Sequence, residues 1–115
     1  MSVATVVGAL GAHALKGTIT PEQISTLLTA VQYQFLHALG LLIIGIMALQ
    51  VKSRGLNAAG GLILGGIVLF SGSLYLLVCG APRWVGVLTP IGGTCLIAGW
   101  CVAAVALWRA VGVVR

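Results

Sequence analysis

The near absence of charged side chains limits what this chain can fold into more than any other feature. Its 115 residues include six Lys or Arg and a single acid, Glu22. Charged residues make up 6% of the chain and hydrophobic residues 60%, against about 25% and about 45–50% in a soluble domain. So few charges cannot cover a surface that faces water, whereas a surface that faces lipid is apolar. The composition therefore predicts one integral membrane domain, residues 1–115.

Four apolar stretches predict an all-α protein with four transmembrane helices, arranged as a four-helix bundle. We place the spans at about residues 3–15, 35–51, 56–79 and 90–108. The first span is short, because at 1.5 Å per residue it reaches about 20 Å, less than the ~30 Å hydrocarbon core of a bilayer.

An amphipathic helix is predicted just before the second span, at residues 21–32. Thr20 can cap its start, Pro21 suits the first turn, and Gln23 completes a capping box. Apolar residues then follow at helical spacing, and no breaker separates them from the span. We expect this helix to lie on the membrane surface or on the other helices, and to continue into the second span.

Small residues recur at helical spacing and favour close helix packing. Gly61, Gly65 and Gly72 fall within about 40° of each other on the helical wheel of the third span. Gly8 in the first span and Gly99 in the fourth belong to similar stripes. Because small side chains let two backbones approach closely, we expect these five glycines to pack the helices of the bundle.

The basic residues lie near the ends of the spans, which is typical of anchors at the headgroup level and does not suggest nucleic acid. With four spans, one membrane side carries both termini and Lys52, Arg54, Arg109 and Arg115. The opposite side carries Lys16 and Arg83, with Glu22. The excess of basic residues predicts that both termini lie in the cytoplasm or its equivalent.

The candidate functional residues are the few polar residues inside the apolar spans, namely His13, Gln34, His37, Ser71, Tyr75 and Thr89. Alternating spans bring them all to the membrane side opposite the termini. Two interpretations follow: a hydrogen-bonded plug that fixes helix register, or a site for a lipid headgroup, a small molecule, a metal or a proton. Even with Cys79, the two histidines supply fewer ligands than a zinc site takes, so we predict no metal and no cofactor.

Nothing in the sequence indicates an enzyme. The chain has no Asp, and its one Glu lies in the amphipathic stretch, so neither a Ser-His-acid set nor a proton path of intramembrane acids can be built. The three cysteines form no CxxC pair and are expected to be small apolar side chains.

Four motifs in order resemble the signatures of one family of small membrane proteins. They are GAHALK at 11–16, YQFLHAL at 33–39, FSGSLY at 70–75 and TPIGG at 89–93. On these motifs the chain is similar to the YgdD/YwdK-type family of the bacterial inner membrane, which also has small eukaryotic relatives. The resemblance implies four membrane helices and no established activity. Family members usually carry more apolar sequence before the first motif than this chain does.

The leading functional prediction is a non-enzymatic protein of the bacterial or mitochondrial inner membrane that works by association. It would be a small accessory subunit of a larger membrane assembly, such as a respiratory one, or a membrane-organising protein. Its partners would be membrane lipids and other transmembrane helices, in a homo- or hetero-oligomer. The alternative is a protein that binds or transports a lipid or small ligand at the end that carries His13 and His37.

Overall fold

The structure is a computed structural model that describes residues 1–13, 17 and 20–114. Its elements are α1 (Ser2–His13), α2 (Pro21–Gln50), α3 (Arg54–Val78), a 3-10 helix (Arg83–Val87) and α4 (Leu88–Val114). The prediction of an all-α chain is confirmed. The predictions that concern Lys16, Arg115 and the side chain of His13 lie outside the described part of the structure.

Within the described part of the chain, three helical segments are long and apolar enough to cross a membrane. They are Pro21–Gln50, Arg54–Val78 and Arg83–Gly112. Helix α1 has 12 residues, and so spans about 18 Å, well short of the ~30 Å hydrocarbon core. The structure therefore contains three candidate membrane spans and one short apolar helix.

Helix α2 joins the predicted amphipathic segment and the second span into one helix of 30 residues. Its start is the predicted capping box: the Gln23 N–H donates to Thr20 Oγ1 at 3.2 Å, and the Thr20 N–H donates to Gln23 Oε1 at 2.9 Å. Leu27, Ala30 and Val31 are buried. The first turns of α2 thus pack on other helices, which is one of the two predicted placements.

The end of α3 is set by a glycine in the left-handed region. Gly80 has φ of 93°, and its N–H donates to the Leu77 carbonyl oxygen at 3.2 Å. The Ala81 N–H donates to the Leu76 carbonyl oxygen at 3.0 Å, which completes a Schellman motif. The chain can therefore turn sharply towards the 3-10 helix that leads into α4.

The helices lie side by side instead of around a central axis. Helix α1 packs on α2, α2 on α3, and α3 on α4. The Cα atoms extend over 57 × 27 × 15 Å, so the chain is a flat layer. The predicted four-helix bundle is not confirmed, because α1 packs chiefly on α2, whereas α3 packs on both α2 and α4.

A cluster of buried apolar side chains joins the three long helices. It consists of Ile44, Ala59, Ile63, Leu96 and Ala103. Glycines bring α3 and α4 together beside this core. A Cβ built on Gly99 would lie 2.6 Å from Ile63 Cγ1, and one built on Gly66 would lie 2.6 Å from Leu96 Cδ2. Between α1 and α2, a Cβ on Gly8 would lie 3.4 Å from Val31 Cγ1.

The glycine face predicted on the third span does not pack within the chain. A Cβ built on Gly61, Gly65 or Gly72 meets no atom within 4 Å. The buried face of α3 carries Ala59 and Ile63 instead, on roughly the opposite side of the helix at 100° per residue. The expectation that Gly61, Gly65 and Gly72 pack this chain's own helices is therefore corrected. The packing face could not be told from the sequence pattern, because both faces of α3 are rich in small residues.

Candidate functional site

Two side-chain hydrogen bonds connect α2 to α3. The Tyr75 hydroxyl donates to Gln34 Oε1 across the seam, which is our name for the contact of α3 with α2 and α4 around Ser71, Ser73 and Tyr75. The Ser71 hydroxyl is buried and donates to the backbone carbonyl oxygen of Ala30 at 2.9 Å. In an apolar seam these bonds satisfy polar groups that would be costly to leave without partners, and they fix how α2 and α3 align.

A third pair connects α3 to the start of α4. The Ser73 hydroxyl donates to the Phe70 carbonyl oxygen at 2.9 Å and lies 2.5 Å from Thr89 Oγ1. Because a hydroxyl has only one hydrogen to donate, Thr89 is the donor in the second bond. Helix α4 begins at Leu88, directly after the 3-10 helix, so Thr89 lies in its first turn and joins it to Ser73 of α3.

His37 belongs to a separate aromatic group. Its Nδ1 lies 2.8 Å from the Tyr33 carbonyl oxygen, and since a carbonyl only accepts, the ring carries its proton on Nδ1. The His37 ring stacks on Tyr33 at 5.6 Å between centroids and lies 6.1 Å from the Trp100 ring. Tyr33 in turn lies 4.5 Å from Phe70. This aromatic group, Tyr33, His37, Phe70 and Trp100, joins all three long helices.

The contacts between α2 and α3 set the level of His37 along the helices. Tyr33 contacts Phe70, and a Cβ on Gly60 would lie 3.8 Å from Ile44 Cγ2, so α2 and α3 run antiparallel. His37 falls between these two contacts, level with the middle of α3. The prediction that His37 reaches the membrane side opposite the termini stays a prediction, because these contacts set only the register of α2 against α3.

The predicted polar residues are therefore brought together as two groups. Gln34, Ser71, Tyr75 and Thr89 enter the hydrogen-bonded seam with Ser73, whereas His37 enters the aromatic group. Trp100 was not among the predicted site residues. Its ring covers Gly40 so closely that a Cβ built on Gly40 would lie 2.5 Å from Trp100 Cη2. A Trp in the middle of an apolar span is the signal that could have found it, since Trp prefers membrane interfaces.

No metal-binding constellation is formed by the side chains in the described part of the chain. No three His, Cys, Asp or Glu residues there are placed to hold an ion, and Cys79, Cys95 and Cys101 are free thiols. The seam between α2, α3 and α4 can hold helices in register, and the aromatic group offers one imidazole Nε2 as an acceptor. Neither group includes a carboxylate that could act as an acid or base.

The exposed surface identifies the class of protein. Large apolar side chains face outward along the long helices, among them Leu49 with 86% and Ile97 with 68% of their surface exposed. Helices of this length and apolarity with apolar outer faces define an integral membrane protein.

The sequence comparisons supply the family. Residues 7–93 match the profile of DUF423, described as a protein of unknown function. The chain is 45% identical over 112 residues to a UPF0382 membrane protein of Staphylococcus haemolyticus, covering 97% of this chain and 89% of the relative. It is 41% identical over 105 residues to the UPF0382 membrane protein YwdK of Bacillus subtilis, covering 90% and 85%. The chain belongs to this family of bacterial membrane proteins, as its motifs predicted. No solved structure matches it.

Proposed function

We propose that this chain is a non-enzymatic membrane protein that acts by association, as a small accessory subunit of a larger membrane assembly. The observation that carries the proposal is the free glycine face of α3, formed by Gly61, Gly65 and Gly72. An added Cβ at each of these positions meets nothing within 4 Å. In lipid, such a face lets a helix of another chain approach closely, and close packing drives helix association in membranes.

The shape of this face adds support. Beyond Gly72 it continues into an open groove of about 480 Å³, lined by apolar residues such as Val68 and Leu76. The flat arrangement of the helices leaves α3 accessible between α2 and α4 on this side. An incoming helix would bury small and apolar side chains and would meet no charged residue of α3 between Gly55 and Val78.

The orientation follows from the basic residues. Lys52 and Arg54 lie at the same end as Arg109, because a Cβ on Gly55 would be 2.8 Å from the Ala106 Cβ. Arg83 lies at the other end of α3. From the excess of basic residues we propose that the Lys52 end faces the cytoplasm, and that α1 is embedded beside α2 as a fourth membrane helix.

The test replaces one glycine on the free face and one elsewhere. Gly65→Leu and Gly45→Leu each add the same side chain where nothing lies within 4 Å, but only Gly65 belongs to the face. In mild detergent, we expect the wild-type protein and Gly45→Leu to sediment as an assembly heavier than the 11.7 kDa chain, and Gly65→Leu to lose that mass. A wild-type protein that sediments as one chain, or an unchanged Gly65→Leu assembly, would refute the proposal.

The position of His37, level with the middle of α3, favours a second function. Ionisable residues inside a membrane are costly and usually serve a function, and His37 Nε2 has no hydrogen-bond partner among the described residues. A lipid or small molecule that carries a hydroxyl could bind there. Comparing His37→Phe with His37→Gln separates this role from a structural one.

A further inference from the structure

A groove lies at the end of the chain opposite Gln34 and Tyr75. It has a volume of about 800 Å³ and opens between the end of α2 and the last turns of α4. Val51, Val105 and Ala106 give it mainly apolar walls, while Lys52 and Arg109 stand at its mouth. A groove with an apolar interior and a cationic mouth is complementary to an amphiphile with a negative head.

The contact between α3 and α4 creates this arrangement. Gly55, in the first turn of α3, packs so closely on Ala106 that a Cβ there would lie 2.8 Å from the Ala106 Cβ. Arg109 is one turn beyond Ala106, and Lys52 precedes α3 by two residues. A glycine at position 55 thus brings two cations from distant parts of the sequence to the same groove.

No acidic side chain can neutralise these cations. The only acid of the chain is Glu22, in the first turn of α2, whereas Lys52 follows the last turn. Along a straight helix the distance between the two positions is about 40 Å. The cations must therefore find an anion outside the chain's own side chains, and at a membrane surface phospholipid phosphate is the abundant one.

We infer that this groove binds an anionic phospholipid, which goes beyond the proposed association. Its phosphate contacts Lys52 and Arg109, and Ser53 borders the same mouth with a hydroxyl that accepts from the Leu56 N–H and remains able to donate. One acyl chain lies along α4 towards Cys101, which lines the groove about 12 Å deeper than Arg109.

The experiment measures lipid retention by native mass spectrometry. The protein is purified in mild detergent with equal amounts of phosphatidylglycerol and phosphatidylcholine. We expect the wild type to retain phosphatidylglycerol preferentially. Replacing both Lys52 and Arg109 by Gln is expected to reduce that retention about thirtyfold, since each basic residue near anionic lipid contributes about 1 kcal/mol. Lys52→Gln alone is expected to reduce retention about fivefold, and Arg54→Gln is its matched control, because it removes one positive charge from the same turn but does not line the groove.

A second pair of variants tests the apolar part. Val105→Trp fills the groove, whereas Val111→Trp adds the same ring to an exposed position of α4 that does not line it. We expect only Val105→Trp to displace phosphatidylglycerol. The inference would be overturned if the wild type retained the two lipids equally, or if Arg54→Gln caused an equal loss. It would also be overturned if inorganic phosphate competed while Val105→Trp had no effect.

Discussion

Gly92 of α4 lies directly against the backbone of Phe70 in α3. A Cβ built on Gly92 would collide with the Phe70 amide nitrogen and would lie 2.9 Å from the Leu69 carbonyl carbon. Backbone atoms cannot move aside as the end of a side chain can, so this position tolerates only glycine while the two helices keep their spacing.

Gly92→Ala is therefore expected to destabilise the fold by about 1–3 kcal/mol, the usual cost of overpacking. The neighbouring Gly93→Ala is the control, because a Cβ there would lie 3.8 Å from the Phe70 ring, an ordinary contact. The free energy of unfolding in a detergent titration is the measurement. Equal losses in the two variants would mean that α3 and α4 do not meet at Gly92.

Removing the Tyr75 hydroxyl is expected to weaken the seam between α2 and α3. Tyr75→Phe leaves Gln34 Oε1 without its donor, at a cost of about 0.6–1.7 kcal/mol for an interhelical bond in a membrane protein. Tyr33→Phe is the control, since the structure gives the Tyr33 hydroxyl no hydrogen bond among the described residues. A double-mutant cycle with Gln34→Leu should then show that the two positions are coupled; additive losses would contradict the bond.

The two hairpin turns are expected to lie on opposite membrane sides. In a cysteine-free background, Ser53→Cys should react with a membrane-impermeant thiol reagent only after the membrane is opened, whereas Ala81→Cys should react in intact cells. This expectation rests on the proposed topology, in which α3 crosses the membrane between the two turns and its Lys52 end faces the cytoplasm. Labelling of both positions from one side would contradict the topology.

Two substitutions of His37 separate packing from ligand binding. His37→Phe keeps a ring for Tyr33 and Trp100, and His37→Gln keeps a donor and an acceptor without a ring. If the role is structural, both variants should fold, with losses of about 1 kcal/mol or less, since an aromatic pair contributes about 0.5–1.5 kcal/mol.

If His37 instead binds a ligand through Nε2, a molecule that copurifies with the wild type should be absent from folded His37→Phe. Mass spectrometry and metal analysis of the purified proteins make this comparison. Copurification that is identical in all three proteins would exclude His37 as the binding residue.

Local signals allowed much of the fold to be predicted. The start of α2 was predictable because a capping box depends on Thr20 and Gln23 alone, and the end of α3 because Gly80 and Pro82 interrupt an apolar run. The connection of the amphipathic segment to the second span was predictable because no breaker lies between them. Each of these features needs only residues within a few positions of each other.

The lateral order of the helices could not be predicted in the same way. Small residues lie on both sides of α3, with Gly65 on one and Ala59 on the other, so the pattern does not say which side receives α4. The level of His37 along α3 could not be predicted either, because no local signal in α2 sets the register of the two helices. It is fixed by the contact of Tyr33 with Phe70, a relationship between residues far apart in sequence.

A layer 27 Å wide and 15 Å thick has a long lipid perimeter for its mass. Side chains such as Leu36, Leu64 and Ile97 are exposed on this layer, where those of a round bundle would contact protein. In a bilayer we therefore expect acyl chains to supply much of the van der Waals contact of these helices. Bilayers with shorter or longer acyl chains, which tilt or compress helices at a modest cost per ångström, will consequently strain this protein along both of its broad faces.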